Sequence, residues 1–141
     1  MAPDVTCRNE PNGAKLNRTY KSFPAIYQLI KEIPEGQVAS YGMIATLVPG
    51  ATARIVGFAT AGTPAGEGIP WQRVVNSQGK ISERDGAERQ RKRLEAEGIK
   101  FSATGKISWN TYRWLGPSDE WLANAGMDPI DFLTIQAGWP R

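Results

Sequence analysis

Phe23, Ile26, Tyr27, Ile30 and Ile33 recur at the i, i+3, i+4, i+7, i+10 spacing of one helical face, and the chain before them shows no such period. The pattern predicts a helix with Ser22 at its N-cap, Pro24 in its first turn, and Pro34 and Gly36 at its end. Ser40 can cap a second, short helix whose inward positions are Ile44, Leu47 and Val48. Pro49-Gly50 stops it, and a third helix is expected from about Ala51 to Ala61. Two short helices joined by a tight turn containing glycine make a helix-turn-helix. Residues 1–21, polar and aperiodic, are expected to form a disordered leader.

After a loop from Gly62 to Gly68, the segment Ile69 to Asn76 is too short and too β-branched for a helix and predicts a strand or extended stretch. Ser77-Gln78-Gly79 supplies a turn. Ala87 to Glu97 predicts a highly charged helix with a narrow seam of Ala87, Gln90 or Arg91, and Leu94, ended by Gly98. Ile99 to Trp109, with Thr104-Gly105 at its middle, predicts a small hairpin or wing. The stretch from Tyr112 to Arg141 holds Trp114, Trp121 and Trp139, three of the five tryptophans, and one expected helix near Ser118 to Ala125. The expected organisation is therefore a leader (1–21), a winged helix-turn-helix domain of α+β, mainly helical class (22–109), and a Trp-rich C-terminal extension packed on it (110–141).

Composition removes several chemistries. A chain of 141 residues with 40% hydrophobic and 22% charged residues fits one globular domain plus tails, which holds its core without metal or disulfide support. The single cysteine, Cys7, rules out a disulfide framework and a zinc cluster, and points to a reducing compartment. There is no histidine, so the commonest metal ligand and the commonest general base are both missing. No apolar run approaches the roughly 18 residues of a membrane span, and the N-terminus lacks the apolar block of a signal peptide. The expected location is the cytoplasm, on the nucleoid if the cell is bacterial. The net charge is only +3, but its placement is uneven. Between Trp71 and Arg93 lie Arg73, Lys80, Arg84, Arg89, Arg91, Lys92 and Arg93 against Glu83, Asp85 and Glu88, a local excess suited to nucleic acid.

Ile-Pro-Trp-Gln-Arg-Val-Val (69–75) resembles the Pro-Cys-His-Arg-Val active-site motif of the O6-alkylguanine-DNA alkyltransferases, with Trp71 where those enzymes carry their alkyl-accepting cysteine. Pro-Glu-Gly-Gln-Val-Ala-Ser-Tyr-Gly (34–42) is similar to their helix-turn-helix entry, Ala-Arg-Ile-Val-Gly (53–57) to their recognition helix with its arginine finger, and Glu-Ala-Glu-Gly-Ile (95–99) to the segment after their basic helix. The matches follow the family's order from about Phe23 to Ser108. A Trp for the Cys marks the alkyltransferase-like proteins, which resemble the enzymes' C-terminal domain but bind damaged DNA without repairing it.

The resemblance implies a role for each matching residue. Arg54 is the finger that enters the duplex, Tyr41 presses on the adjacent phosphate, and Ser40, Thr52, Ala53 and Gly57 complete the DNA face, small residues (also Ala51 and Ala59) letting the helix approach the minor groove. Trp71, Gln72, Val74 and Arg84 form the lesion pocket, with Trp71 as wall or floor and Arg84 sensing the electron-rich edge of a flipped base. Pro70, Arg73 and Glu97 are structural members of the motif. Glu97 matches the relay glutamate but is left with no chain to complete, since Gln72 stands where the family has His. Plainer readings stay open at each place. Arg54 and Arg84 suit phosphate contacts, Tyr41 and Trp71 suit core packing, and Arg89–Arg93 suits a solvated helix face. The C-terminal tryptophans suit core positions or an apolar docking surface.

Together these imply a non-enzymatic sensor, monomeric, with no metal or cofactor. It would bind O6-alkylguanine in double-stranded DNA by nucleotide flipping and mark it for nucleotide excision repair proteins. The competing reading is a sequence-specific helix-turn-helix transcription regulator, which wants more outward polar residues than Thr52, Arg54 and Thr60 supply. An active alkyltransferase is contradicted by Trp71 and Gln72, because alkyl transfer needs a thiolate and a neighbouring base.

Overall fold

The computed structural model describes residues 20–141. Most of the leader and Cys7 lie outside that range. Tyr20, placed in the leader by its sequence, stacks on Phe23 at 5.5 Å and meets Phe58 at 5.9 Å, so regular packing begins before the first helix.

Helix α1 (Phe23–Ile30) carries Pro24 in its first turn, and its N-cap Ser22 accepts no side-chain hydrogen bond. Its buried face is Phe23, Ile26, Leu29 and Ile30, with Ile33 buried just beyond it. Leu29 replaces Tyr27 on the predicted face, because the Tyr27 hydroxyl leaves the core to donate to the Ala59 carbonyl at 2.8 Å. Strand β1 (Ala39–Ser40) runs into α2 (Tyr41–Thr46), and α3 (Ala53–Ala61) follows. Both helices are capped by their own sequence: the Ser40 side chain accepts from Met43 N at 3.0 Å, and that of Thr52 from Ile55 N at 3.2 Å. The fold is the winged helix-turn-helix of α+β class, with α2 and α3 as its two helices.

The expected strand at 69–76 is only partly one. Trp71–Arg73 forms a 3₁₀ turn, and Val74–Val75 forms β2, which pairs in parallel with β1 in the register Ala39↔Val74 and Ser40↔Val75. Helix α4 (Ala87–Ala96) buries Gln90 and Leu94 on its seam. Antiparallel bridges Lys80↔Lys106 and Phe101↔Ile107 make the wing. Three short helices end the chain: α5 (Trp109–Tyr112), α6 (Asp119–Asn124) and α7 (Pro129–Ala137). Only the second was expected.

Val38 N–H donates to the Tyr112 carbonyl and the Val38 carbonyl accepts from Trp114 N–H, which ties the extension to the entry of β1. Trp114 stacks on Trp139 at 5.9 Å, and Phe132 meets Trp139 edge-on at 5.7 Å. Trp114 and Trp139 are buried, so they offer no docking surface. No helix of the described residues is long and apolar enough to cross a membrane.

Candidate nucleic-acid interface

The 3₁₀ turn holds three side chains in unlike places. Gln72 points inward, where its amide donates to Glu97 Oε2 at 2.8 Å. Arg73 meets the same carboxylate at 3.0 Å and reaches the Ile33 carbonyl at 2.8 Å. Gly36 N–H donates to Glu97 Oε1 at 3.0 Å from a backbone with φ +86, a conformation that favours glycine. The carboxylate left with no relay chain to complete thus takes donors from three residues, Gln72, Arg73 and Gly36. Burial by itself would raise the Glu97 carboxyl; hydrogen bonds from Arg73, Gly36 and Gln72 and the Arg73 charge outweigh it and hold the group below its ordinary value.

Two of the pocket candidates lie inward of the surface. Gln72 is buried in the glutamate network, and Val74 is wholly buried in the core, where its carbonyl accepts from Gln90 Nε2 at 2.9 Å. Neither side chain lines the two cavities that Trp71 borders. Gln90, with no exposed surface, also bonds the Gln72 carbonyl at 3.1 Å and takes a hydrogen bond from Arg84 Nη2 at 2.9 Å. One buried amide therefore ties the turn, β2 and Arg84 to α4.

Trp71 faces the other way and is half-buried. It borders two adjoining cavities. One, of about 400 Å³, lies among Thr60, Ala61, Thr63, Arg84, Asp85 and Arg89. The other, of about 360 Å³, lies between the 63–69 loop and Arg89 with Arg93. Both guanidiniums engage the indole, their central carbons 5.3 Å (Arg89) and 5.5 Å (Arg93) from the ring centroid. The sequence makes these arginines part of a solvated face. Their i, i+4 spacing is visible there, but their common target is not.

The DNA-face candidates also separate. Arg54 and Ala53 are exposed in the first turn of α3, with the Arg54 guanidinium 5.5 Å from the Phe58 ring. Gly57 is half-buried, with open space where a Cβ would stand, and Tyr41 is half-buried against the core. Ser40 is buried and committed to its cap, Thr52 caps α3 from an exposed position, and Ala59 is wholly buried. Ala59 therefore lies on the core side of α3. Pro70 leads into the 3₁₀ turn as its N-cap. Among the described residues no group of three His, Cys, Asp or Glu side chains is placed to hold a metal ion.

Residues 22–99 match the family described as 6-O-methylguanine DNA methyltransferase, DNA binding domain. The chain belongs to this family. Within it, the chain is 50% identical over 93 residues to a DNA base-flipping protein of Vibrio parahaemolyticus, covering 63% of this chain and 91% of the relative. It is 39% identical over 100 residues to Alkyltransferase-like protein 1 of Schizosaccharomyces pombe, covering 65% and 93%. The crystal structure of S. pombe Atl1 in complex with damaged DNA containing O6-carboxymethylguanine superimposes with a TM-score of 0.60 at 38% identity, covering 67% of this chain and 94% of that one. The whole C-terminal extension (110–141) lies beyond the family match, which ends at Ile99.

Proposed function

We propose that this protein is a lesion sensor with no transferase activity: as a monomer it binds duplex DNA containing O6-alkylguanine, turns the damaged nucleotide out into the trough at Trp71, and marks the site for nucleotide excision repair proteins. The observation that carries this reading is the layout of α3. Exposed Arg54 stands in its first turn, and Thr60 and Ala61 at its other end line the cavity beside Trp71. Ala61 lies seven helical steps beyond Arg54, about 10 Å along the axis. A helix laid against the minor groove thus brings a side chain able to fill a vacated base position and a cavity able to receive the base to one stretch of DNA.

Each step has a physical basis. Flipping costs a few kcal/mol and is cheapest where pairing is already disturbed, as alkylation at the 6-oxygen of guanine disturbs it. A guanidinium can bond the orphaned cytosine and stack on its neighbours. The cation–π contact to Phe58 that Arg54 gives up is an exposed one, worth about 0.5–1 kcal/mol. Indole presents an apolar face that makes no directional demand on an alkyl group, and it offers no thiolate for transfer. The name of the Vibrio relative, a base-flipping protein, and the damaged DNA in the S. pombe complex support the same reading.

The rival reading, base-edge recognition in the major groove, finds little on α3. Thr60 is buried and bonds its own helix at Gly57 O, Thr52 is a cap, and the exposed positions within the helix are Ala53, Arg54 and Ala61. The test is a titration of two otherwise identical duplexes, one with a single radiolabelled O6-methylguanine. Tighter binding to the damaged duplex with no label on the protein is expected. Equal affinity for both, or stoichiometric label on the protein, contradicts the proposal.

A further inference from the structure

The cations of α4 divide into two kinds. Arg91 meets Glu95 at 3.1 Å and Lys92 lies 3.8 Å from Glu88, each an i, i+4 pair on the exposed surface. Arg89 and Arg93, also one turn apart, have no carboxylate partner among the described residues; both lie against Trp71. Together they form one wall of the cavity whose other side is the 63–69 loop. The lining of that cavity contains these two arginines and no acidic side chain: Glu67, on the same loop, is exposed and does not line it, and Asp85 lines the neighbouring cavity with Arg84 and Arg89.

We propose that this cavity is a subsite for O6 substituents that end in an anion, the carboxymethyl group being the simplest. The inference rests on the reading that the damaged base enters beside Trp71. A plain alkyl group gains only apolar contact with the indole and the small residues of the loop. A carboxylate on the same stem adds an attraction that the cavity is built to supply. A guanidinium engaged with a ring through its charge keeps five N–H donors for a planar oxyanion, and its weak hydration lowers the cost of meeting one. Two such groups one helical turn apart, with no competing acid in the lining, discriminate by charge where Trp71 does not. A carboxyl-bearing adduct is then held by the side of the site that α4 supplies, and a methyl adduct by Trp71 alone.

The experiment compares four duplexes, carrying O6-carboxymethylguanine, its neutral isostere O6-carbamoylmethylguanine, O6-methylguanine or guanine. They are titrated with the unmodified protein and with Arg89→Gln and Arg93→Gln, each checked for its fold by circular dichroism. The unmodified protein should bind the carboxymethyl duplex about fivefold more tightly than the carbamoylmethyl one at low salt, and the ratio should shrink as salt is added. Either variant should bring the ratio toward one, whatever uniform loss it shows on all four duplexes. Equal affinity for the two isosteres, with O6-methylguanine still preferred over guanine, overturns this inference and leaves the sensor reading standing. So does a ratio that neither variant changes. If O6-methylguanine is bound no better than guanine, the sensor reading itself fails and this inference falls with it.

Discussion

Trp71 belongs to the same three-residue turn as Gln72 and Arg73, yet the two sides of that turn are held in opposite ways. On the inner side, Gln72 and Arg73 converge on Glu97 with bonds of 2.8–3.1 Å, and Arg73 extends to the Ile33 carbonyl. On the outer side the indole meets two guanidiniums at 5.3 and 5.5 Å. The inner contacts are charged, oriented and largely out of water, so none is given up without leaving a buried group unpaired. The outer contacts are non-directional and worth about 0.5–1 kcal/mol each at exposed positions. A site arranged in this way has a fixed wall with exchangeable company. Under the proposed function, an incoming base would displace or join the arginines without disturbing the backbone that carries Trp71.

The inner side should show the largest effect. Glu97→Ala leaves the Arg73 charge, the Gln72 amide and Gly36 N–H without their shared acceptor, and should cost about 3–5 kcal/mol of folding stability, measured by urea unfolding. Glu97→Gln should cost less, because it keeps an acceptor oxygen. If Glu97→Ala unfolds at nearly the denaturant concentration of the unmodified protein, the inner network is not what holds the turn.

A smaller effect, and on binding instead of stability, is expected on the outer side. Trp71→Ala should erode the preference for alkylated over normal guanine. The erosion should grow with adduct size, at about 25 cal/mol for each Å² of adduct surface that the indole no longer shields from water. Titrations with methyl, benzyl and unmodified guanine, beside a thermal melt, measure both. Equal weakening on all three duplexes with a drop of 3–5 kcal/mol in stability, about the range for losing a core tryptophan, would move Trp71 from the site to the core.

The smallest effect is one of pH. The Glu97 carboxyl is held below its ordinary value, so its contribution to stability is complete above the unfolded value of about 4.3 and is lost as pH falls through the lower folded value. Acidification below pH 5 should therefore lower the melting temperature of the unmodified protein more than that of Glu97→Gln. Parallel curves for the two proteins would remove Glu97 as the source.

How much of this was legible in the chain depends on the range of the interactions. The caps of α2 and α3 are decided within three residues, and Ser40 and Thr52 stand where their bonds are made. The basic helix α4 and its glycine stop are likewise local. Helix α7 was missed although Asp128 and Pro129 form an ordinary N-cap and first position, and the Asp128 side chain does accept from Ile130 N. Its apolar residues make no clear stripe: Phe132 is buried while Ile130 and Leu133 are exposed.

The 3₁₀ turn was beyond reach for a different reason. Val74 and Val75 favour a strand, and what curls the residues before them is a carboxylate 24 and 25 positions away. The same distance hid the partners of Gln72 and Glu97. The motif makes Trp71 a wall or floor of the expected pocket, but only the packing of α4 shows that Arg89 and Arg93 meet it.

Under the proposed function the damaged nucleotide leaves the helix while Arg54 takes its place. The most direct measurement uses a duplex with O6-methylguanine opposite a fluorescent cytosine analogue whose emission rises when its partner is lost. Unmodified protein should raise that emission on binding. Arg54→Ala should bind about 1–3 kcal/mol more weakly and give a smaller rise at saturation, because nothing then holds the vacated position. Binding of the damaged duplex with no change in emission would rule out nucleotide flipping. An Arg54→Ala protein that saturates with the full rise and loses only about one unit of salt slope would contradict the role given to Arg54, which would then be a phosphate contact.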